Sequence, residues 1–196
     1  MAPTESHPPQ DPATLTSPIA PAFPLTQNGL QDIMEYKATA HTQNSVVSRV
    51  ALPRGSHLCY ITTHTPTPKA TWSSIQTGKY DHVELNNALL YMNHSCEPTV
   101  ELEVHSPDSN TGRYPEGISG EVRVSAARDL EVGDSLTFFY PSTEWITAKA
   151  FKCLCGAGKD VCIGEHLGSR ELSKTVLDRY FVNRHVHELA AERDGQ

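Results

Sequence analysis

Three of the chain's five cysteines fall within ten positions, in the string Cys153-Leu154-Cys155-Gly156-Ala157-Gly158-Lys159-Asp160-Val161-Cys162. A turn this short cannot bury a core of its own, so its shape needs another source of stability. C-x-C followed by a third cysteine is metal-ligand spacing. A zinc ion takes four thiolate or imidazole ligands in a tetrahedron, and a compact turn can present three of them. The fourth must come from a distant segment. Cys96, which ends the run Asn93-His94-Ser95-Cys96, is the candidate that would join the middle of the chain to its end, and His166, four residues past Cys162, is an alternative ligand to Cys162. Cys59 lies in the strand-like stretch His57-Leu58-Cys59-Tyr60-Ile61-Thr62 and is expected to be a small buried hydrophobe.

The 196 residues suffice for one domain with a real core. A net charge of -7 opposes a nucleic-acid phosphate track, which needs a basic face. No direct nucleic-acid partner is expected. The first basic residue is Lys37, so no charged region precedes an apolar one as in a signal peptide, and no apolar run approaches membrane-spanning length. The reading is a soluble intracellular protein of the cytoplasm or nucleus, monomeric and away from membranes. Reduced thiols there favour zinc or burial over disulfides. The same argument sets aside Asn93-His94-Ser95 as a glycosylation sequon.

Residues 1–28 hold seven of the fourteen prolines, interleaved with Ser, Thr and Gln. Such a segment cannot bury enough apolar surface to offset its ordering entropy, and a disordered tail is expected. Short strand-like runs follow over 45–52, 57–63, 99–104 and 120–126, each bounded by Gly, Pro, Asn or Asp. The alternation in Glu121-Val122-Arg123-Val124-Ser125-Ala126 predicts one buried face and one wet face. Residues 83–92 read as a short helix leading into Asn93. Residues 169–196 read as an amphipathic helix with Ser169 as its N-cap and Leu172, Val176, Leu177, Tyr180, Val186 and Leu189 on its apolar face. His57, His64, His185 and His187 are expected at the surface.

Asn93-His94-Ser95-Cys96, then Gly133-Asp134-Ser135-Leu136-Thr137-Phe138-Phe139-Tyr140, then the cysteine turn occur in the order found in the SET-domain family. The chain resembles that family over residues 93–162, through its N-H-S-C segment, its G-[DE]-x-L-T-x-x-Y segment and its post-SET C-x-C-x4-C turn. Val50-Ala51-Leu52-Pro53-Arg54-Gly55 is similar to the glycine-bearing turn of the family's first sheet, and Ala126-Ala127-Arg128-Asp129-Leu130 to its A-x-R-D-[IL] strand and turn. The string Phe138 to Trp145 is most similar to short single-domain SET-like proteins of filamentous fungi. The resemblance implies a mostly β fold with short helices, built of small curved sheets with knot-like threading, plus a C-terminal zinc turn and helix. It divides the chain into a SET-like part over 29–148, a post-SET zinc turn over 149–168 and a terminal helix over 169–196.

The resemblance also implies S-adenosylmethionine as methyl donor and one structural zinc held by Cys96, Cys153, Cys155 and Cys162. By it, Tyr140 points its hydroxyl at the transferring methyl, and backbone around Asn93 and His94 holds the adenine and the amino-acid end. Arg54 and Gly55 close the pocket, and Phe151 or Trp145 faces the adenine. Two departures stand out. Pro53 occupies the place of the first glycine of the usual G-x-G, and the cysteine turn is lengthened to C-x6-C. Methyl transfer from a sulfonium is an in-line displacement at an activated carbon, so positioning, worth roughly 7 to 11 kcal/mol, is the main demand. An amine acceptor with a pKa of ~10.4 also needs a dry, aromatic-walled channel that favours its neutral form, and Phe138, Phe139 and Tyr140 supply such walls. Three functions fit: a methyltransferase acting on a protein lysine or another amine, a scaffold serving fungal secondary metabolism on a small molecule, and a non-catalytic binding module. Fold alone does not separate them.

Overall fold

The computed structural model describes residues 29–38, 44–104 and 122–195. The expected tail at 1–28 and the start of the run at 120–126 lie outside them. The elements are α1 (Leu30–Ile33), β1 (Met34–Lys37), β2 (Ser45–Ser48), β3 (His57–Ile61), β4 (His64–Thr67), β5 (Ser74–Gln76) and β6 (His82–Leu85). They continue with β7 (Asn93–His94), β8 (Val100–Val104), β9 (Val122–Ala126), β10 (Thr137–Phe138), β11 (Phe151–Lys152), β12 (Glu165–His166), α2 (Lys174–Leu177) and α3 (Arg184–Asp194). The strands form five small sheets, in the orders β1-β2, β3-β9-β8, β4-β6-β5, β10-β7 and β11-β12. This is the mostly β architecture that the motifs predicted. None of the described helices is long and apolar enough to cross a membrane.

The main core lies where β9 runs antiparallel between β3 and β8. Val122 and Val124 of β9, Val100 and Leu102 of β8 and Ile61 of β3 are fully buried, and each such side chain contributes roughly 1.5–3 kcal/mol. On the other face of β9, Arg123 pairs with Glu103 directly opposite at 3.3 Å. That face is only partly wet, because Ser125 is buried as well. Cys59 packs against this core and burial pushes its thiol up to about 12, which fits an inert small hydrophobe.

Two helical expectations are corrected. Residues 82–85 are strand β6, with Val83 and Leu85 buried and His82 and Glu84 half-buried, a period of two. The helical part is only the 3-10 turn Ala88–Tyr91, started by Asn87, whose side-chain oxygen accepts the Leu89 N–H at 2.9 Å. The terminal segment is likewise a 3-10 turn (Ser169–Glu171), then α2, then α3. Ser169 does not cap: its hydroxyl donates to the carbonyls of Pro141 and Glu144, and the cap on α2 is Ser173, which accepts the Val176 N–H. The break before α3 has a structural cause. The Asn183 side chain accepts the Val104 N–H at 2.8 Å and donates to the Leu102 carbonyl at 2.9 Å, filling the free edge of β8 as a neighbouring strand would. Leu177, Val182, Val186 and Ala190 then pack as a second core with Trp145, Leu172 and Tyr180 against it.

Candidate functional site

Threading of two distant segments builds the site. β7 runs parallel to β10 with Asn93 opposite Thr137 and His94 opposite Phe138. The Ser95 and Thr99 N–H groups extend the pairing to the carbonyls of Phe138 and Thr137, both at 3.0 Å. Past β10 the chain turns into the 3-10 segment Tyr140–Ser142, with Pro141 in its first turn, where the fixed φ of proline suits a helix start. Tyr140 is thereby set beside His94, their ring centroids 5.4 Å apart.

The His94 tautomer follows from its partners. Nδ1 accepts the Tyr140 N–H at 3.2 Å, so the proton sits on Nε2 and is directed at Cys96 Sγ, 3.4 Å away. Burial, helped by His166, pushes His94 down to about 3, so the ring is neutral. The Tyr140 hydroxyl donates to the Met92 carbonyl at 2.8 Å. Burial, with the nearby Glu144, raises that phenol above its ordinary range and keeps it a donor. Phe151 and His166, paired across β11 and β12, complete a group of rings: His166 lies 5.1 Å from Phe151, 5.6 Å from Tyr140 and 5.5 Å from His94. Ser45, Asn93, His94, Tyr140, Phe151 and Lys152 line an open cleft of about 890 Å³. Asn93 donates through Nδ2 to the Asn44 carbonyl at 2.9 Å, tying the cleft to the segment that enters β2.

Directly behind His94 the four predicted cysteines meet. Zinc–sulfur bonds of 2.3 Å in a tetrahedron require sulfurs about 3.8 Å apart. Cys96 Sγ lies 3.8 Å from Cys153 Sγ and Cys155 Sγ 4.0 Å from Cys162 Sγ, and all four sulfurs lie within 4.8 Å of one another. Main-chain N–H groups of Ile163 and Gly164 point at Cys96 Sγ and Cys162 Sγ, each at 3.4 Å, as support for thiolate charge. Burial raises Cys96 above the usual thiol range and Cys153 to about 11, so these sulfurs need a cation in order to ionise. The donor set therefore fits one zinc. The lengthened spacing is absorbed by a turn in which the Val161 and Cys162 N–H groups both reach the Gly158 carbonyl at 2.9 Å. His166 is not among the sulfurs' partners and instead hydrogen-bonds Glu144 at 3.0 Å.

Other expected site residues are not brought to the cleft. Gly55, at φ 80°, forms the turn before β3, and its N–H reaches the Ala126 carbonyl at 2.7 Å. Arg54 lines a separate cavity of about 310 Å³ with Glu101, Phe139, Arg179 and Tyr180. What borders the cleft from the first sheet is Ser45, in a stretch lacking the glycines that would have marked it. Trp145 packs in the second core under the Arg193 guanidinium, 5.6 Å from the ring centre, so of the two aromatics only Phe151 reaches the cleft. Among the histidines, His185 is buried, not exposed, with Nε2 bonded to the Thr143 carbonyl at 2.8 Å. The Glu144–His166 pair was missed as a pair, because two residues 22 apart in unrelated turns carry no shared sequence signal.

No family model matches the chain. Among curated proteins it is similar to the methyltransferase flvH of Aspergillus flavus, 41% identical over 171 residues that cover 87% of this chain and 84% of that protein. Among solved structures it resembles KRYPTONITE in complex with mCHG DNA and SAH, with a TM-score of 0.50, 22% identity and 67% of this chain covered. A second KRYPTONITE structure, with mCHH DNA, an H3(1-15) peptide and SAH, gives a TM-score of 0.48 at 23% identity, again over 67% of this chain. The chain spans under a third of KRYPTONITE, 28% and 29% of those two chains. The parallel pairing of the N-H-S-C strand with the strand before Tyr140, and the gathering of all four cysteines behind it, are what the SET reading required. Taken with the near full-length match to flvH, they place this chain in the methyltransferase family that it shares with flvH, on a SET-domain fold.

Proposed function

We propose that the cleft binds S-adenosylmethionine and that the enzyme methylates the nitrogen of an amine, a lysine side chain or a smaller molecule. The observation that carries this is the ring-walled cleft itself, with Asn93 at its lip, neutral His94 and Tyr140 as its wall and Phe151 half-exposed at its mouth. When bound, S-adenosylmethionine supplies a methyl group on a sulfonium centre. The chain's own residues do the rest. Backbone at Asn93 and His94 frames the donor, Phe151 covers it, and Tyr140, fixed by its hydroxyl bond to Met92 and its N–H bond to His94, holds the reacting atoms in line. Apolar walls around a cationic sulfonium favour the neutral amine over the ammonium ion. Zinc, held by Cys96, Cys153, Cys155 and Cys162, is structural: four sulfurs leave no open position for substrate. Arg54, which lines the separate cavity, and Gly55, in the turn before β3, have no part in this reading.

The DNA bound by KRYPTONITE is not carried over, since a net charge of -7 opposes a phosphate track. Titration calorimetry with S-adenosylmethionine tests donor binding. Labelled donor added with whole cell extract then shows whether label enters protein or a small molecule. Tyr140→Phe keeps the wall and removes the hydroxyl, so donor affinity should hold while turnover falls about 10² to 10³-fold. Equal turnover by the variant and the parent would remove Tyr140 from the chemistry.

A further inference from the structure

The second cavity, of about 310 Å³, shares a wall with the cleft: Cys96 and Phe139 line it, while their chain neighbours Ser95 and Tyr140 line the cleft. Its volume suits a small metabolite, since small-molecule sites begin at about 300 Å³. Its charges set it apart. Acidic residues outnumber basic ones in this chain, 23 to 16, and Arg49, Arg123, Arg128, Arg170, Arg184 and Arg193 each pair with a carboxylate. Among the described residues, the arginines in no ion pair are Arg54 and Arg179, and both line this cavity.

Each arginine is tethered in a way that leaves donors to spare. The Arg54 main-chain N–H donates to Asp129 Oδ1 at 2.9 Å, which fixes the backbone and not the guanidinium. Arg179 donates through Nη1 to the Asp160 carbonyl at 3.0 Å and lies 5.8 Å from the Tyr180 ring centre. A guanidinium has five N–H donors, so most of them are still to be used. Glu101, on β8, lines the same cavity and is half-buried. Burial raises its carboxyl above the ordinary value and the Arg54 charge pulls it back, so the two act on each other across the cavity. They nevertheless form no ion pair, and the Glu101 carboxylate has no hydrogen bond among the described residues. Opposite charges are thus held near one another but apart, beside an apolar wall in which Phe139 and Tyr180 stack at 3.7 Å. A half-buried carboxylate left without a partner costs free energy, which a ligand carrying the complementary charge would recover.

We propose that this cavity is a second binding site, for a small zwitterion of the amino-acid class. Arg54 and Arg179 hold the carboxylate of the ligand, Glu101 holds its ammonium group, and its apolar part lies against Phe139, Tyr180 and Val100. The planar guanidinium fork matches a carboxylate and can grip both of its oxygens. A plain anion such as phosphate meets repulsion from Glu101, and a plain cation meets it from the two arginines. The site is independent of the methyl-transfer reading, because neither arginine lines the cleft.

The test is calorimetry of the full chain, loaded with zinc, against the common L-amino acids and inorganic phosphate. At least one apolar amino acid should bind with a Kd below about 1 mM. The same molecule without its amino group, or without its carboxylate, should bind about 10-fold or more weakly. Binding by none of the amino acids overturns the site, and phosphate binding as tightly as the best of them overturns the zwitterion. Arg54→Gln, Arg179→Gln and Glu101→Gln should each weaken binding about 10 to 10²-fold at an unchanged melting temperature. Arg54→Lys should restore only part of the loss, because a point charge replaces a fork. Arg170→Gln removes the same charge away from the cavity and should leave affinity as in the parent; an equal loss there would trace the effect to net charge and overturn the assignment. S-adenosylmethionine has an amino-acid end of its own, so it is the decisive competitor. Both molecules should bind at once, and mutual exclusion would move the ligand into the cleft and overturn the second site. None of these readouts measures turnover, so they stand or fall apart from the proposed methylation.

Discussion

Replacing Asn183 by alanine removes one amide and leaves two main-chain groups on the outer edge of β8 without that partner, the part-buried Val104 N–H and the buried Leu102 carbonyl. The Ser142 carbonyl also loses the side-chain bond but keeps the Asn183 main-chain N–H at 3.0 Å, so it does not enter the count. Asn183 is 3% exposed, which leaves water little access to the vacated groups unless the structure opens. At about 1–3 kcal/mol for each unsatisfied group, the expected loss is roughly 2–6 kcal/mol. A total stability of about 5–15 kcal/mol makes that a large fraction. For a chain of this size it corresponds to a fall in melting temperature of about 2–4 °C per kcal/mol. Urea unfolding followed by circular dichroism measures it, and the slope against denaturant should match that of the parent while the midpoint moves. A cost below about 0.5 kcal/mol, typical of exposed positions, would refute the argument that this amide closes the sheet edge.

Elemental analysis should find one zinc per chain, and Cys162→Ser should lose it and melt at lower temperature, since structural zinc supplies roughly 10–16 kcal/mol of apparent binding energy; full zinc in the variant would point to another ligand. Gly168→Ala should destabilise strongly, because a Cβ there would sit 2.5 Å from the Trp145 carbonyl oxygen and 2.8 Å from Ile146 Cα, at a φ of 97°; a melting temperature equal to the parent's would show that the strand end shifts freely. His185 is held below its ordinary pKa chiefly by burial, so the unfolded chain binds the extra proton and this group's contribution declines as pH falls through about 6.5. A neutral replacement, His185→Gln, should flatten that part of the stability profile, and an unchanged acid slope would exclude His185 as its source.

The parts of the molecule legible from sequence are those where chemistry or alternation dictates geometry. Four thiols that must share an ion fix their own meeting point, so Cys96, Cys153, Cys155 and Cys162 could be grouped although Cys96 stands 57 positions before Cys153. β2, β3 and β8 announce themselves as short strand-like runs between breakers. Elsewhere competing contacts decided the outcome. An apolar period of 3.6 does run through Leu172, Val176 and Leu177, but a helix continued through 183 would carry Asn183 away from the β8 edge that its amide satisfies. His185 looked like a surface residue because nothing local announces the Thr143 carbonyl that receives it. Arg54 and Gly55 were drawn to the cleft by likeness to a glycine turn, although the structure gives that turn a sheet-edge role, with Gly55 N–H on Ala126 and Arg54 N–H on Asp129.

Cys96 is where these features meet. Its sulfur belongs to the metal site and takes the Nε2–H of His94, whose other nitrogen fixes the main chain of Tyr140. Its carbonyl accepts the Tyr180 hydroxyl at 3.1 Å, and the Tyr180 ring stacks on Phe139 at 3.7 Å with an interplanar angle of 9°. The metal, the wall of the cleft and the terminal segment therefore share one residue, and a change in any of them is felt by the other two through bonds about 3 Å long. A thiolate on zinc is a better acceptor for the His94 proton than a thiol, so metal binding strengthens the tautomer that leaves Nδ1 free for Tyr140. The cysteine turn begins thirteen residues after Tyr140, but it bears on that tyrosine through Cys96 and His94, whose Nδ1 holds the Tyr140 main chain.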